Sequence, residues 1–273
     1  MCLKDFADDP QIKIQISDAC KIGLKLVKQV RELHRLGMVH GDIQPSNVLF
    51  GHHHQLIRKL LNLRKNQPHL ANRIISFEMQ REIIKQIGSL MQKVYLVDFG
   101  SARRYRDEAT GAHIEDKQDY DLIQDNTYAS THQLLGHTPS RRDDMIQIVL
   151  TVIAILDHNK EWIPNQSPNI PDLAHQYKVK RFKLQCPPED LCRGPHTAMF
   201  TPLMTEVYKY AFDAEPNYDK IQDELIKVMR SQHSRNDSIF SWNYKVFKQF
   251  RKIMEEPPID REMKPNQVIY RPV

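Results

Sequence analysis

The stretch that most limits what this chain can become is Met145–Leu156, twelve residues that are apolar almost throughout although they hold Gln147. A segment hydrophobic on every side is buried rather than laid on a surface. With Asp144 ahead of it, the run is long enough for an interior helix and well short of the roughly 20 residues a bilayer span takes. The 273-residue sequence is 40% hydrophobic and 27% charged, a balance that supports a sizeable core and argues against global disorder. Its length allows one large domain or two ordinary ones.

Four cysteines (2, 20, 186 and 192) are too few for a disulfide scaffold of this size, so reduced thiols in an intracellular setting, cytoplasmic or nuclear, are expected. The opening MCLKDFADDP is acidic and broken by Pro10, unlike a signal or transit peptide. The net charge of +5 is uneven: residues 51–93 hold eight Lys or Arg against two Glu, a local +6, which leaves −1 for the rest. A globally basic nucleic-acid-binding protein is therefore not supported.

Along the chain, residues 1–15 read as a short polar linker. Ser17 and Asp18 suggest the cap of a helix running to about Arg35, with Ile16, Cys20, Leu24, Val27, Val30 and Leu33 as its buried stripe and Gly37 as its stop. The apolar runs Val48-Leu49-Phe50 and Val94–Val97 read as strand-like. Helical periodicity recurs around Leu56–Leu63 and Ile74–Leu90. Prolines 257, 258, 265 and 272 mark residues 251–273 as an extended tail.

Chemistry concentrates at His40-Gly41-Asp42-Ile43-Gln44-Pro45-Ser46-Asn47 and at Asp98-Phe99-Gly100. Phosphoryl transfer from a nucleotide needs a carboxylate to orient the attacking hydroxyl and oxygen ligands to hold Mg²⁺ on the phosphates. Asp42, with Asn47 five residues on, suits the first role and one metal ligand. Asp98, at a strand end, suits the other.

HGDIQPSNVLF followed by VYLVDFG resembles the catalytic and metal-binding loops of the protein kinase fold. DFGSARRYRD, NTYASTHQLLGHTPSRRDDM, PPEDLCRG, DAEPNYDKIQDEL and FSWN resemble the casein kinase I family, in the same order, over about residues 16–243. The resemblance implies an ATP- and Mg²⁺-dependent serine/threonine protein kinase acting on protein substrates. It assigns Asp42 as the catalytic aspartate, Asn47 and Asp98 as Mg²⁺ ligands and Leu49 as the floor under adenine. His40 would pack beneath Phe99 and Gly100, and Asp144 would tie down the catalytic loop.

The departures from that family are specific. Gln44 stands where the family has a lysine contacting the γ-phosphate, so a charge is replaced by a neutral donor. Gly41 replaces the arginine that pairs with activation-segment phosphate. Thr127 replaces an arginine that helps bind a pre-phosphorylated substrate. None of the nine glycines is two residues from another, so GxGxxG does not occur. An N-terminal lobe of five strands and a helix takes on the order of 40 residues, and only about 15 precede the first expected helix. The N-lobe is therefore expected to be absent, and the chain alone to bind ATP weakly and transfer phosphate negligibly.

The family joins the two strands by a short hairpin; here about 40 residues with a net charge of +6 intervene. They read either as a docking arm for an acidic partner or as a solvated insertion. One aromatic residue, Phe77, makes a stacking platform for single-stranded nucleic acid a poor fit. His52-His53-His54 and the Cys186/Cys192 pair lack the ligand pattern of a metal site. Arg103, Arg104 and Arg106 read as a substrate or localisation patch or as solvated charge. The architecture expected is mainly α (α+β): a kinase-like C-lobe over 16–250, with a small β-hairpin interrupted by the basic helical insertion 51–93. Two functions follow, a casein kinase I-like enzyme, or a pseudokinase scaffold that uses the insertion.

Overall fold

The computed structural model describes residues 2–8, 13–51, 93–118, 127–157, 172–232 and 240–241, the side chains of Phe6 and of 172–176 excepted. The insertion between 51 and 93, with His52 to His54, and the tail 251–273 lie outside them.

The described elements are α1 (Leu3–Asp8), α2 (Ile16–Arg35), β1 (Met38–Val39), a 3-10 turn (Pro45–Asn47), β2 (Val48–Phe50), β3 (Val94–Leu96) and β4 (Arg103–Arg104), then α3 (Thr131–Leu134), α4 (Arg141–Ala154), α5 (Asp172–Gln185), α6 (Thr201–Val207) and α7 (Tyr218–Ser231). The fold is thus mostly helical with two small antiparallel ladders. β2 pairs with β3 through Val48–Leu96, Leu49–Tyr95 and Phe50–Val94. β1 pairs with β4 through Met38–Arg104 and Val39–Arg103, a ladder the sequence reading does not include. The Gly51 N–H donates to the Lys93 carbonyl at 3.2 Å, so the two ends of the insertion stand side by side.

α4 is the helix read from the apolar run, beginning three residues earlier than Asp144. All fourteen of its residues are buried. Its start is fixed by Asp143, whose carboxylate accepts the Ser140 N–H at 2.8 Å.

α2 differs from its expected form in two ways. It starts at Ile16, with Gln15 as its cap residue, and Asp18 acts from inside the first turn by accepting the Gln15 N–H at 3.1 Å. Its buried face runs through Ala19, Ile22, Leu26, Val30 and His34, and Leu24 and Leu33 are only half-buried. The face is turned and widened because α2 lies against both α4 and α7. Gly23 permits that approach: a Cβ there would meet Leu225 and Val152 methyls at 3.1 Å.

Residues 1–15, expected as a linker, include α1. Leu3 is fully buried in the core, Asp5 accepts the Cys2 N–H at 2.9 Å, and Cys2 bridges to Leu49 on β2. A short apolar anchor and a local cap suffice to order this turn against β2, although the surrounding sequence is polar. Late in the chain, Phe240 stacks edge-on against Phe50 of β2 at 5.4 Å, and Ser241 hydrogen-bonds to Asp18.

Candidate active site

The backbone polar groups on either side of Asp42 are fixed by side chains from elsewhere, chiefly from α4. Asp144, fully buried in the first turn of α4, accepts the N–H of His40 at 2.8 Å with Oδ2 and the N–H of Gly41 at 2.8 Å with Oδ1. The same Oδ2 faces Nε2 of buried His34 at 2.9 Å, and Nδ1 of His34 meets the Tyr218 hydroxyl at 2.8 Å. Burial raises the Tyr218 phenol well above its ordinary pKa. One turn on in α4, Gln147 Oε1 accepts the Ile43 N–H at 2.9 Å, and Thr151 Oγ1 donates to the Ile43 carbonyl at 3.2 Å. Asp144, Gln147 and Thr151 stand at i, i+3 and i+7, a polar stripe that runs into the apolar part of the helix.

Gly41 carries φ +77, and a Cβ there would stand 3.0 Å from the Ser101 carbonyl. Position 41 therefore suits glycine and disfavours any larger residue. His40 contacts both loops. Its Nδ1 lies 3.3 Å from the Asp42 N–H and its Nε2 3.2 Å from the Val97 carbonyl, so a neutral ring protonated on Nε2 satisfies both. Its ring lies 5.0 Å from that of Phe99, which is 53% exposed.

The Asp42 carboxylate is held by two amides. Gln44 Nε2 donates to Oδ1 and Oδ2 at 2.9 and 3.0 Å. Asn47 Nδ2 donates to Oδ2 at 2.9 Å and to the Asp42 carbonyl at 3.0 Å. With its nitrogen so committed, the Asn47 side-chain oxygen is left for another partner. The Val97 N–H donates to the Asn47 carbonyl at 2.9 Å, extending the β2–β3 ladder and setting Asn47 across from the residue before Asp98. Asp98 is exposed, with a left-handed backbone at φ +63, and accepts the Gly100 N–H at 3.2 Å. The structure thus brings Asp42, Gln44, Asn47 and Asp98 to one end of the β2–β3 pair, with Leu49 half-buried on β2 behind them. The donors on offer, one amide oxygen and one carboxylate, are hard oxygens. They fit a Mg²⁺ ion that completes its shell with water and substrate phosphates.

The segment before α3 packs onto the same loop. Buried Lys183 donates to the carbonyls of Thr127 and Ala129 at 2.7 and 2.6 Å. Ser130 Oγ donates to Asp143 Oδ1 at 2.5 Å. Burial raises the Asp143 carboxyl, and the neighbouring Arg142 charge and this hydroxyl oppose the rise. Arg141 is an anchor: it stacks 4.5 Å from the Tyr105 ring centroid and donates to the Asp213 carbonyl at 2.6 Å. The arginines read as one patch diverge. Arg103 is half-buried, Arg104 pairs with Glu108 at 2.9 Å, and Arg106 lies over the Tyr105 ring. The sequence reading did not single out Gln133, Lys183 or His34. Gln147 was visible as the polar residue within the apolar run.

No protein-family model matches the chain. Curated relatives do. It is 29% identical over 223 residues to "Casein kinase 1-like protein HD16" of Oryza sativa subsp. japonica, covering 80% of this chain and 26% of that protein. It is 27% identical over 220 residues to "Casein kinase I homolog 2" of Schizosaccharomyces pombe, covering 80% of this chain and 42% of that one. Against "Casein kinase I homolog 3" of Saccharomyces cerevisiae it is 22% identical over 237 residues, covering 84% and 40%. The chain spans from about a quarter to just under half the length of the curated relatives it matches. Because the similarity runs through some four-fifths of the residues instead of stopping at one motif, the chain has a casein kinase I-like kinase fold.

Proposed function

We propose that this chain carries the phosphoryl-transfer machinery of a casein kinase I-like serine/threonine protein kinase. The observation that carries the reading is the double grip of Gln44 and Asn47 on the Asp42 carboxylate, with Asn47 tied across the ladder to Val97 beside Asp98. In this reading Asp42 orients the Ser or Thr hydroxyl and accepts its proton. Asn47 and Asp98 hold Mg²⁺, which would neutralise the charge on the ATP phosphates. Leu49 lies beneath the adenine. His40, Phe99, Gly100 and Asp144 keep the two loops in register.

Two features set the expected level of activity. Gln44 and Gly41 leave the loop without the cations usual in this family, and the sequence has no glycine-rich loop to cover the phosphates. We therefore propose weak ATP binding and little transfer by this chain on its own. The same two residues favour a second reading, a scaffold that retains the fold and binds an acidic partner through residues 51–93. No described helix is long and apolar enough to cross a membrane. Protein substrates and a cytoplasmic or nuclear setting belong to the proposal.

The test is a thermal shift with Mg·ATP beside a transfer assay on an acidic Ser/Thr protein. Stabilisation reaches about 0.4 kcal/mol when nucleotide equals its Kd and grows logarithmically above it. The enzyme reading expects a small Mg²⁺-dependent shift at millimolar nucleotide and a slow transfer lost in Asp42→Ala. No shift and no transfer would leave the scaffold reading. A rapid Asp42-dependent rate would overturn the low-activity part.

A further inference from the structure

The segment 127–130 and the backbone of Asp42 are joined by two buried glutamine amides, Gln133 (4% exposed) and Gln147 (1% exposed). Gln133 Oε1 accepts the Ser130 N–H at 2.8 Å, and its Nε2 donates to the Gly41 carbonyl at 3.0 Å. Gln147 Oε1 accepts the Ile43 N–H at 2.9 Å, and its Nε2 donates both to the Gly41 carbonyl at 2.9 Å and to Gln133 Oε1 at 3.1 Å. Neither amide can be turned over. A flip would set NH₂ against the Ser130 N–H at one and against the Ile43 N–H at the other.

The consequence is directional. The Gly41 carbonyl belongs to the peptide bond that leads into Asp42, and its two lone pairs are taken by these two amides. Ser130 is itself fixed twice: its Oγ donates to Asp143 and accepts the Gln133 N–H at 3.1 Å. Lys183 holds the carbonyls on either side of Tyr128. Asp144, Gln147 and Thr151 all reach the loop from α4, whereas Gln133 reaches it from the segment that carries Ser130. A shift of residues 127–130 therefore has a hydrogen-bonded route to the peptide plane of Asp42.

We infer that Gln133, working with Gln147, is a positioning residue that couples the seating of residues 127–130 to the backbone of Asp42. Its kinetic consequence rests on the function proposed above; its structural consequence does not.

The experiment is amide hydrogen exchange of the full chain, wild type beside Gln133→Met, which keeps length and removes both polar atoms. Loss of one buried hydrogen bond corresponds to roughly five- to tenfold faster local opening. We expect that increase in peptides covering 40–44 and 127–131 together, with exchange in α7 unchanged. If Gln133→Met does not fold, Ser130→Ala, which keeps the Ser130 N–H on Gln133 Oε1 but removes the Oγ bonds to Asp143 and to the Gln133 N–H, loosens the seat of residues 127–130 and is expected to speed exchange at 40–44 as well. Exchange at 40–44 left as in wild type, or a uniform rise through α7, would overturn the coupling. In a transfer assay, Gln133→Met is expected to lower kcat several-fold with the KM for nucleotide unchanged. Absence of measurable transfer by the wild type would count against the enzyme reading alone, since the exchange result stands without it.

Discussion

Asn47 Nδ2 lies 2.9 Å from Oδ2 and 3.0 Å from the backbone carbonyl of Asp42, so a single amide fixes both the side chain and the main chain of the residue five positions earlier. Asn47 is 7% exposed, and each buried hydrogen bond is worth about 1 kcal/mol. Asn47→Leu removes both. It is expected to cost about 1–2 kcal/mol in urea unfolding and to abolish any Mg·ATP-dependent shift. A variant that keeps wild-type stability would show that the grip contributes nothing net.

The grip on Asp42 from the other side, by Gln44, is neutral. A lysine at this position would place a charge where phosphoryl oxygens gather negative charge in transfer. Removing one such preorganised donor from an enzyme typically costs about 10²–10³ in rate. Gln44→Lys is therefore expected to raise transfer by roughly tenfold, less than the full factor because a glutamine donor is already present. An unchanged or lower rate would show that the neutral amide is not what limits turnover.

Gly41 combines φ +77 with the Ser101 carbonyl only 3.0 Å from where a Cβ would stand. Left-handed backbone costs an L-residue about 1–2 kcal/mol before any clash. Gly41→Ala is expected to lose at least that much stability and to loosen the loop at Asp42. Equal melting temperatures for variant and wild type would contradict the strain.

His132 has its pKa lowered to about 4, first by burial, then by the charges of Arg142 and His137, with Asp116 opposing. The unfolded imidazole takes a proton below about pH 6.5, while the folded one does not until about pH 4. Between those values the unfolded state binds more protons, so stability falls as pH falls. With the ring partly exposed, the effect is discounted to about 1–2 kcal/mol. His132→Gln should flatten the decline between roughly pH 7 and 5 relative to wild type. Parallel curves would remove His132 as a cause.

The loop residues were legible because their chemistry is local. Asp42, Gln44 and Asn47 lie within six positions, and the Val94–Val97 run ending at Asp98 announces its strand by composition. The long-range glutamine contacts were not. Gln133 and Gln147 meet Gly41 across 92 and 106 residues, a relationship no periodicity encodes. The helix α2 was legible as an element and so was part of its buried face, Cys20, Val27 and Val30, but not the width of that face. That face depends on Gly23 letting two other helices approach at once, which the stripe of large apolar residues does not show. Likewise Leu3 and Asp5 order a turn in a segment whose overall polarity reads as a linker.

The most direct measurement of the central claim is paramagnetic broadening of backbone amide signals by Mn²⁺·ATP, with Mn²⁺ standing in for Mg²⁺. The account predicts selective broadening at residues 47–48 and 97–101, strengthening into the millimolar range and lost in Asp98→Asn. Broadening spread over the surface, or unchanged in Asp98→Asn, would contradict a metal–nucleotide site at Asn47 and Asp98.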